Sequence, residues 1–189
     1  MKKDYLFTSK RLGFRNWTSN DLAEFLALNA DVDVMEHFPH PLTKEETSQF
    51  ISRHQKHYQT HGYTYFATEI LKTKEFIGFI GLTFQDYETE FTPDIGWRLK
   101  KGAWGKGFAT EGAKRCLLYG FQKLNLDKII STCTEENSKS ERVMKKIGMK
   151  KIGSFKHPKL KEEPKLKEYP TYEDCICYEI NKEDWQQLK

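Results

Sequence analysis

Residues 104–112 read "WGKGFATEG", two glycines around a lysine, followed by small residues, a threonine and a glutamate. The stretch is too flexible for a strand and too rich in glycine for a helix interior. On its N-terminal side, "FTPDIGWRL" (91–99) has the composition of a strand, with Pro93 near its start. On its C-terminal side, Ala109, Ala113, Cys116, Leu117, Gly120, Phe121 and Leu124 recur at steps of three and four, which predicts an amphipathic helix over about 107–124. A strand running through glycines into a helix gathers free backbone N–H groups, those of the helix's first turn included, around one small volume. Without side chains at Gly105 and Gly107, an anion can approach the main chain. The helix dipole adds about 0.3–1 kcal/mol, or about 2 kcal/mol in a partly buried site. The sequence therefore predicts a site for phosphate or pyrophosphate here.

Working outward, "RLGFRNW" (11–17) reads as a strand and "TSNDLAEFLALN" (18–29) as a helix capped at Ser19 or Asn20. "PLTKEETSQFISRHQKHYQTHG" (41–62) reads as a second helix, capped at Thr43 with Glu46 three residues on and stopped at Gly62. "YTYFATEI" (63–70) and "FIGFIGLTFQ" (76–85), separated by "LKTKE", predict a hairpin, and 91–99 extends it into an antiparallel meander. After the central helix come a strand (128–134), a short helix (137–148) ending at Gly148, and strands at 149–155 and 175–180, then a short tail with Trp185. "HPKLKEEPKLKEYP" (157–170) repeats PKLKE and has loop composition; it is either a solvated excursion or a lid over a substrate site. The order predicts an α/β (α+β) fold over residues 1–189 as a single domain. Its mixed, mainly antiparallel sheet has about seven strands flanked by about four helices, with a strand–helix–strand unit at its centre.

A chain of 189 residues with 38% hydrophobic and 14% aromatic residues is long and apolar enough to bury a real core. The 31 basic against 27 acidic residues leave a net charge of +4 spread along the chain, without the concentrated basic face or aromatic-laced basic helix that nucleic acid would want. No apolar run reaches the roughly 18–20 residues of a membrane span, and "MKKDYLFTSK" lacks the hydrophobic segment of a signal peptide, so a cytoplasmic location is expected. Cys116, Cys133, Cys175 and Cys177 show no C-x-x-C spacing and are read as packing residues. His57 and His61 have helical i, i+4 spacing, but no acidic partner or second motif completes a metal site, and none is expected.

Three phosphate-binding designs compete for the glycine stretch. A P-loop needs Ser or Thr directly after its lysine, and Lys106 is followed by Gly107. A dinucleotide fingerprint needs a third glycine where Thr110 stands, and a parallel strand before it. The third fits: "WGKGFA" (104–109) resembles the pyrophosphate-binding motif Q/R-x-x-G-x-G/A of the GNAT superfamily of acetyl-coenzyme A dependent N-acetyltransferases, with Gly107 and Ala109 on its two small-residue positions. Trp104 replaces the usual Gln or Arg, a departure common in the branch that includes the Rim-type ribosomal-protein N-terminal acetyltransferases; the position is thought to bind through its backbone N–H. "DIGWRLKKGAWGKGFATEGAKRCLLYGF" is similar to that branch's E-I-G-Y, strand end, W-G-K-G-Y-A-T-E and helix. "NSKSERVMKKIGM" resembles its N-x-x-S segment closing on K-x-G-F, with Asn137, Ser140, Lys146 and Gly148 aligned. "FKHPKL" and "CICYEINKEDW" resemble the end of the branch, so the likeness covers nearly the whole chain, with the cofactor-binding core at about 94–149.

The resemblance implies acetyl-coenzyme A as co-substrate, no metal, and an amine acceptor. A free alkylamine, with a pKa near 10, is almost wholly protonated at pH 7, so a base or a water chain leading to one must take a proton. Asp94 sits where many members keep a catalytic glutamate, and His157 is the other candidate; an ordinary strand-end aspartate is the alternative reading of Asp94. Most members take their general acid from a tyrosine seven residues after the asparagine, here Met144, so Ser140 is the expected proton donor to the thiolate, or else a purely cofactor-contacting serine. Backbone N–H groups at a bulged strand end around Trp97, Arg98 and Leu99 are expected to polarise the carbonyl and pair with the pantetheine arm. Trp104, Gly105, Lys106, Gly107, Phe108 and Ala109 would hold the pyrophosphate, and Asn137 and Ser140 the arm. Direct transfer through a ternary complex is expected. The acceptor reads first as a protein N-terminus, with a ribosomal protein favoured by the resemblance, or else as a small amine such as a polyamine, an aminoglycoside or an amino-acid derivative. A polyamine would want an acidic cleft, whereas Glu36, Glu69, Glu88 and Glu90 are scattered. A catalytically silent coenzyme A-binding module is the third reading. Relatives are commonly dimers, and an exposed antiparallel edge could pair with a copy, which makes a homodimer the expected assembly.

Overall fold

The sheet is built on β4 (Phe76–Phe84), whose sequence FIGFIGLTF is buried at every position but the last, as a strand covered on both faces must be. The computed structural model describes residues 5–84, 92–157 and 174–188. β3 (Tyr65–Ile70) and β5 (Pro93–Leu99) flank β4 antiparallel, which makes the expected meander. Outside β3 lie β2 (Leu12–Arg15) and the two-residue β1 (Phe7–Thr8). On the other side, β6 (Lys128–Thr134) pairs parallel with β5, and β8 (Asp174–Asn181) inserts between β6 and β7 (Lys150–Lys156). The order is β1-β2-β3-β4-β5-β6-β8-β7.

Alternation along the central strands divides the core in two. Tyr65, Ala67 and Phe79 face α1 (Leu22–Ala30) and α2 (Lys44–His61) in a cluster with Trp17, Phe25 and Phe50. Phe66, Ile80 and Leu82 face α3 (Phe108–Leu118) and pack with Ala113, Cys116 and Leu117. Eight strands and five helices are described, against about seven and about four expected. The additions are β1, too short to show a period, and α5 (Lys182–Gln187) in the tail, which follows α4 (Ser138–Lys146) in chain order. α5 is capped by Asn181, whose Oδ1 accepts from the Asp184 N–H at 2.7 Å, and it buries Trp185 against Phe121.

The caps of α2 stand where the sequence put them: Glu46 N–H donates to Thr43 Oγ1, Thr43 N–H donates to Glu46 Oε2, and Gly62 closes the helix at φ 76°. The first helix differs. Residues 19–21 form a 3-10 turn whose cap is Thr18 rather than Ser19 or Asn20, with Thr18 N–H and Oγ1–H both donating to Asp21 Oδ2. The central helix also ends early as an α-helix. Residues 119–123 widen into a π turn, with the Leu124 N–H reaching back to the Tyr119 carbonyl at 3.2 Å.

Candidate active site

β5 and β6 are joined at Asp94↔Ile130 and then diverge toward their C-terminal ends, opening the sheet beside the start of α3. Crevices at the C-terminal ends of parallel strands are where α/β sheets place their ligands. The pleat decides what β5 presents there. Lys100 N–H donates to Ile77 O on β4, whereas the Ile95 carbonyl accepts Ser131 Oγ–H from β6 at 2.8 Å. The backbones of Ile95, Trp97 and Leu99 therefore face the opening, and that of Arg98 faces β4. The expected bulge is not found here: the β4–β5 register runs without a shift from Gly78↔Leu99 to Phe84↔Pro93, and divergence of β6 frees the strand edge instead.

The glycine turn closes one end of a cavity of about 820 Å3. Gly105 and Gly107 adopt φ 71° and 76°, which other residues enter only at a cost, and Gly107 is the cap residue of α3. Among the described residues, no well-formed hydrogen bond engages the backbone N–H groups of residues 105–110. A Cβ at Gly107 would meet only Arg11 Nη2, at 3.5 Å. The turn is tied down from outside. Arg11 Nε donates to Glu111 Oε2 at 2.6 Å, its Nη1 to the Lys106 carbonyl at 3.0 Å, and its backbone N–H to Glu111 Oε1 at 2.7 Å. Burial pushes the Glu111 carboxyl up, but hydrogen bonds from Ser9 and Arg11 outweigh it, leaving the pKa below the usual range. Sequence inspection did not pick out Arg11, whose partner lies 100 residues away.

The opposite end of the cavity is walled by residues 33–40, α2, Tyr65 at the start of β3 and the C-terminal end of β4. Asp94 is 2% exposed and is the buried carboxylate of the cavity among the described residues. The Tyr65 hydroxyl donates to Asp94 Oδ2, and Gly96 leaves room for it, since a Cβ there would lie 2.5 Å from the Tyr65 hydroxyl oxygen. His54 packs tilted against Phe50 and Tyr65 at centroid distances of 4.1 and 5.0 Å. Burial pushes its pKa well below the usual value, and Arg53, His57 and Arg98 add to the shift. Burial, then His61 and Arg53, hold His57 at about 4. These imidazoles are neutral at pH 7.

Most residues singled out from sequence meet in this cavity. Asp94, Trp97, Arg98, Leu99, Trp104, Gly105, Gly107, Phe108, Ala109, Asn137, Ser140 and His157 all contribute to its wall. His157 directly follows β7 and is 7% exposed; the remainder of the expected loop, 158–170, lies outside the described residues, as do Glu88 and Glu90. Lys106 is absent from the wall, because its Nζ folds back on the Gly102 carbonyl at 2.6 Å. The Phe108 ring belongs to the core beneath Arg11, which leaves its backbone to face the turn. The Trp104 N–H is engaged by the Lys101 carbonyl at 3.1 Å, so its indole, bonded to the Leu99 carbonyl and lying under Lys139 Nζ, forms the wall. Arg98 lies over Phe38 at 4.0 Å and donates to Asn29 Oδ1, away from the glycine turn. Asn137 Oδ1 caps α4 through the Ser140 N–H at 3.0 Å. Glu69 is committed to Arg15, and Glu36 lies beside His37 and Lys139 at the cavity rim. Cys133 and Cys175, expected to pack, also line the cavity; burial pushes their thiols up to about 12 and about 11.

The family described as "Acetyltransferase (GNAT) domain" matches residues 11–150. The chain is similar to the uncharacterized N-acetyltransferase YnaD of Bacillus subtilis (strain 168), at 35% identity over 79% of this chain and 85% of that protein. Its fold is similar to a GNAT-family acetyltransferase from Bacillus anthracis, with a TM-score of 0.74 and 30% identity over 93% of this chain and 98% of that one. It is also similar to a spermidine N-acetyltransferase from Vibrio cholerae solved with coenzyme A and spermine. That match has a TM-score of 0.71 and 22% identity over 93% of this chain and 98% of that one. GNAT acetyltransferases use acetyl-coenzyme A, and the residues here fit it: uncommitted N–H groups and side-chain-free glycines suit a pyrophosphate, and the freed edge of β5 suits an amide-bearing arm. No described helix is long and apolar enough to cross a membrane. The cavity's construction, the sheet that carries it and the match over residues 11–150 converge on one conclusion: the chain belongs to the GNAT acetyltransferase family and is an acyltransferase enzyme.

Proposed function

We propose that this enzyme acetylates the N-terminal α-amine of a peptide or protein, as the Rim-type branch does, by direct transfer from acetyl-coenzyme A in the cytoplasm. The observation that carries the reading is the make-up of the acceptor end. Asp94 is its buried carboxylate, set among neutral imidazoles with Arg53 and Arg98 on the same wall. The rim carboxylates Asp33, Glu36 and Glu46 are engaged by Lys101, Lys139 and the Thr43 N–H, so with Arg53 and Arg98 the wall suits a single amine better than a polycation such as spermidine. An α-amine has a pKa of about 7.7–8.0, so roughly a tenth of it is already neutral at pH 7, against under one in a thousand for an alkylamine. One carboxylate suffices for it.

Acetyl-coenzyme A supplies the activated thioester. The chain's residues do the rest. Asp94 accepts, directly or through water, the proton the amine loses on attack, with His157 on the same wall as the second candidate base. Trp97 and Leu99, whose backbones face the opening, offer N–H groups to the thioester carbonyl oxygen as charge develops on it. Ser140 gives its hydroxyl proton to the departing sulfur, and Met144, at the usual tyrosine position, is 1% exposed in the core with no proton to give. The raised thiol pKa values of Cys133 and Cys175 argue against an acetyl-cysteine intermediate. One continuous eight-stranded sheet supports reading the chain as a single domain, and the exposed edge strand β7 supports a homodimer, which light scattering would test.

The test is acetyl-coenzyme A turnover against an alanyl tetrapeptide, spermidine and an aminoglycoside, with mass spectrometry locating the acetyl group. Transfer to the peptide's α-amine, with intersecting initial-rate plots and a roughly 10²–10⁴-fold slower Asp94→Asn enzyme, is expected. Preference for spermidine or the aminoglycoside would replace the acceptor class. Binding of acetyl-coenzyme A without transfer to any amine would favour a silent module.

A further inference from the structure

His54 sits on α2, ten residues before its hydrogen-bond partner Thr64 and far from the glycine motif. The partnership settles which ring nitrogen carries the proton. Thr64 has one hydroxyl hydrogen, and Thr64 Oγ1 lies 2.9 Å from the His54 carbonyl, which can only accept. The hydroxyl therefore gives its hydrogen there, and at 3.0 Å from His54 Nδ1 it can only accept, so Nδ1 is the protonated nitrogen. The other nitrogen, Nε2, carries the lone pair and points away from Thr64. It is fully buried and has no hydrogen-bond partner among the described residues. The residue as a whole is 2% exposed, yet it forms part of the cavity wall, packed tilted against the Tyr65 ring whose hydroxyl donates to Asp94. A buried acceptor left unsatisfied is costly, so a polar nitrogen kept at this place in the cavity wall calls for a partner. Burial holds the imidazole neutral, so it stays an acceptor at working pH.

We propose that His54 is a specificity-determining residue of the acceptor site, whose Nε2 lone pair receives an N–H of the incoming amine substrate. The inference rests on the acetyltransferase reading above and adds to it a named contact. With Asp94 and Nε2 each taking one N–H of a neutral primary amine, the nitrogen's own lone pair is left for the thioester. His54 moves no proton; it positions the nucleophile.

The experiment pairs His54→Phe, which keeps an aromatic ring between Phe50 and Tyr65, with His54→Gln, whose amide oxygen can stand near the Nε2 position. The probe is the alanyl tetrapeptide, or whichever panel amine the wild type acetylates. His54→Phe is expected to raise the KM for the amine about five- to a hundredfold, leaving the KM for acetyl-coenzyme A, the melting temperature and, within a few-fold, kcat unchanged. His54→Gln should recover much of the loss. Nitrogen NMR of the labelled imidazole should show Nε2 unprotonated in the free enzyme and shifted on adding the amine. An active wild type with an unaltered amine KM in His54→Phe, or a protonated Nε2, overturns the inference and leaves the acetyltransferase reading standing. A wild type that transfers to no amine overturns both.

Discussion

Removing the Arg15 guanidinium should destabilise the fold by an amount that depends on pH in a defined direction. Arg15 bridges two carboxylates beneath the N-terminal strands: its Nη2 and Nη1 meet Asp21 Oδ1 and Oδ2 at 2.6 and 2.8 Å, and its Nε meets Glu69 Oε1 at 2.7 Å. Side-chain exposures of 12% for Arg15, 7% for Asp21 and 0% for Glu69 make this a buried network, not a surface pair. Arg15→Ala leaves both carboxylates in place without the guanidinium that pairs with them, while Tyr5 still donates to Glu69 and Thr18 to Asp21. Breaking a buried pair from one side costs about 3–5 kcal/mol. For a chain of this size that is a fall in Tm of roughly 6–20 °C. Burial pushes the Asp21 carboxyl up, but hydrogen bonds from Arg15 and Thr18 more than offset it and leave its pKa below the usual carboxylate range. A carboxyl depressed in the folded state contributes stability that is present above its unfolded pKa and lost as pH falls through the folded one. The gap between wild type and Arg15→Ala should therefore be full at pH 7 and narrow as the pH drops below about 4. Urea unfolding of both proteins at pH 7 and near pH 3 measures it. A loss below about 1 kcal/mol at pH 7, or a gap that widens on acidification, would refute the reasoning.

Gly107→Glu should weaken acetyl-coenzyme A binding about a hundredfold or more by calorimetry. The roughly 1–2 kcal/mol of strain at φ 76° adds to repulsion of the pyrophosphate, with each 1.4 kcal/mol worth tenfold; unchanged binding would remove the turn from the cofactor site. Ser140→Ala should slow kcat about 10²–10⁴-fold with little change in the KM for acetyl-coenzyme A, and undiminished turnover would end its role as acid. Gly96→Ala should push the Tyr65 hydroxyl off Asp94, cost about 1–3 kcal/mol of stability and slow transfer about tenfold, while calorimetric binding of acetyl-coenzyme A stays as in the wild type.

Legibility from sequence followed the range of the interactions involved. The α2 caps at Thr43 and Gly62, the glycine turn ahead of the central helix and the amphipathic pattern of α3 were all readable, because residues within four positions of one another decide those conformations. The first helix was read as capped at Ser19 or Asn20, and only the reach of Asp21 to Thr18 settled the cap one residue earlier. The expected bulge in β5 misplaced the cause of the opening, since strand divergence is a property of the β5–β6 pair and leaves no mark on either strand alone.

What the sequence determined by itself was the order of strands and helices, the membership in the family, and the motif residues from Asp94 to Ser140, all carried by short-range patterns and contiguous motifs. The tertiary structure decided the end of the cavity away from the glycine turn. Tyr65 meets Asp94 across 29 residues, Arg11 meets Glu111 across 100, and His54 enters the cavity only because α2 docks on the face of β3 and β4 that carries Tyr65 and Phe79. Such contacts depend on strand register and helix docking, which sum many weak interactions over the whole core, so no local stretch of sequence encodes them.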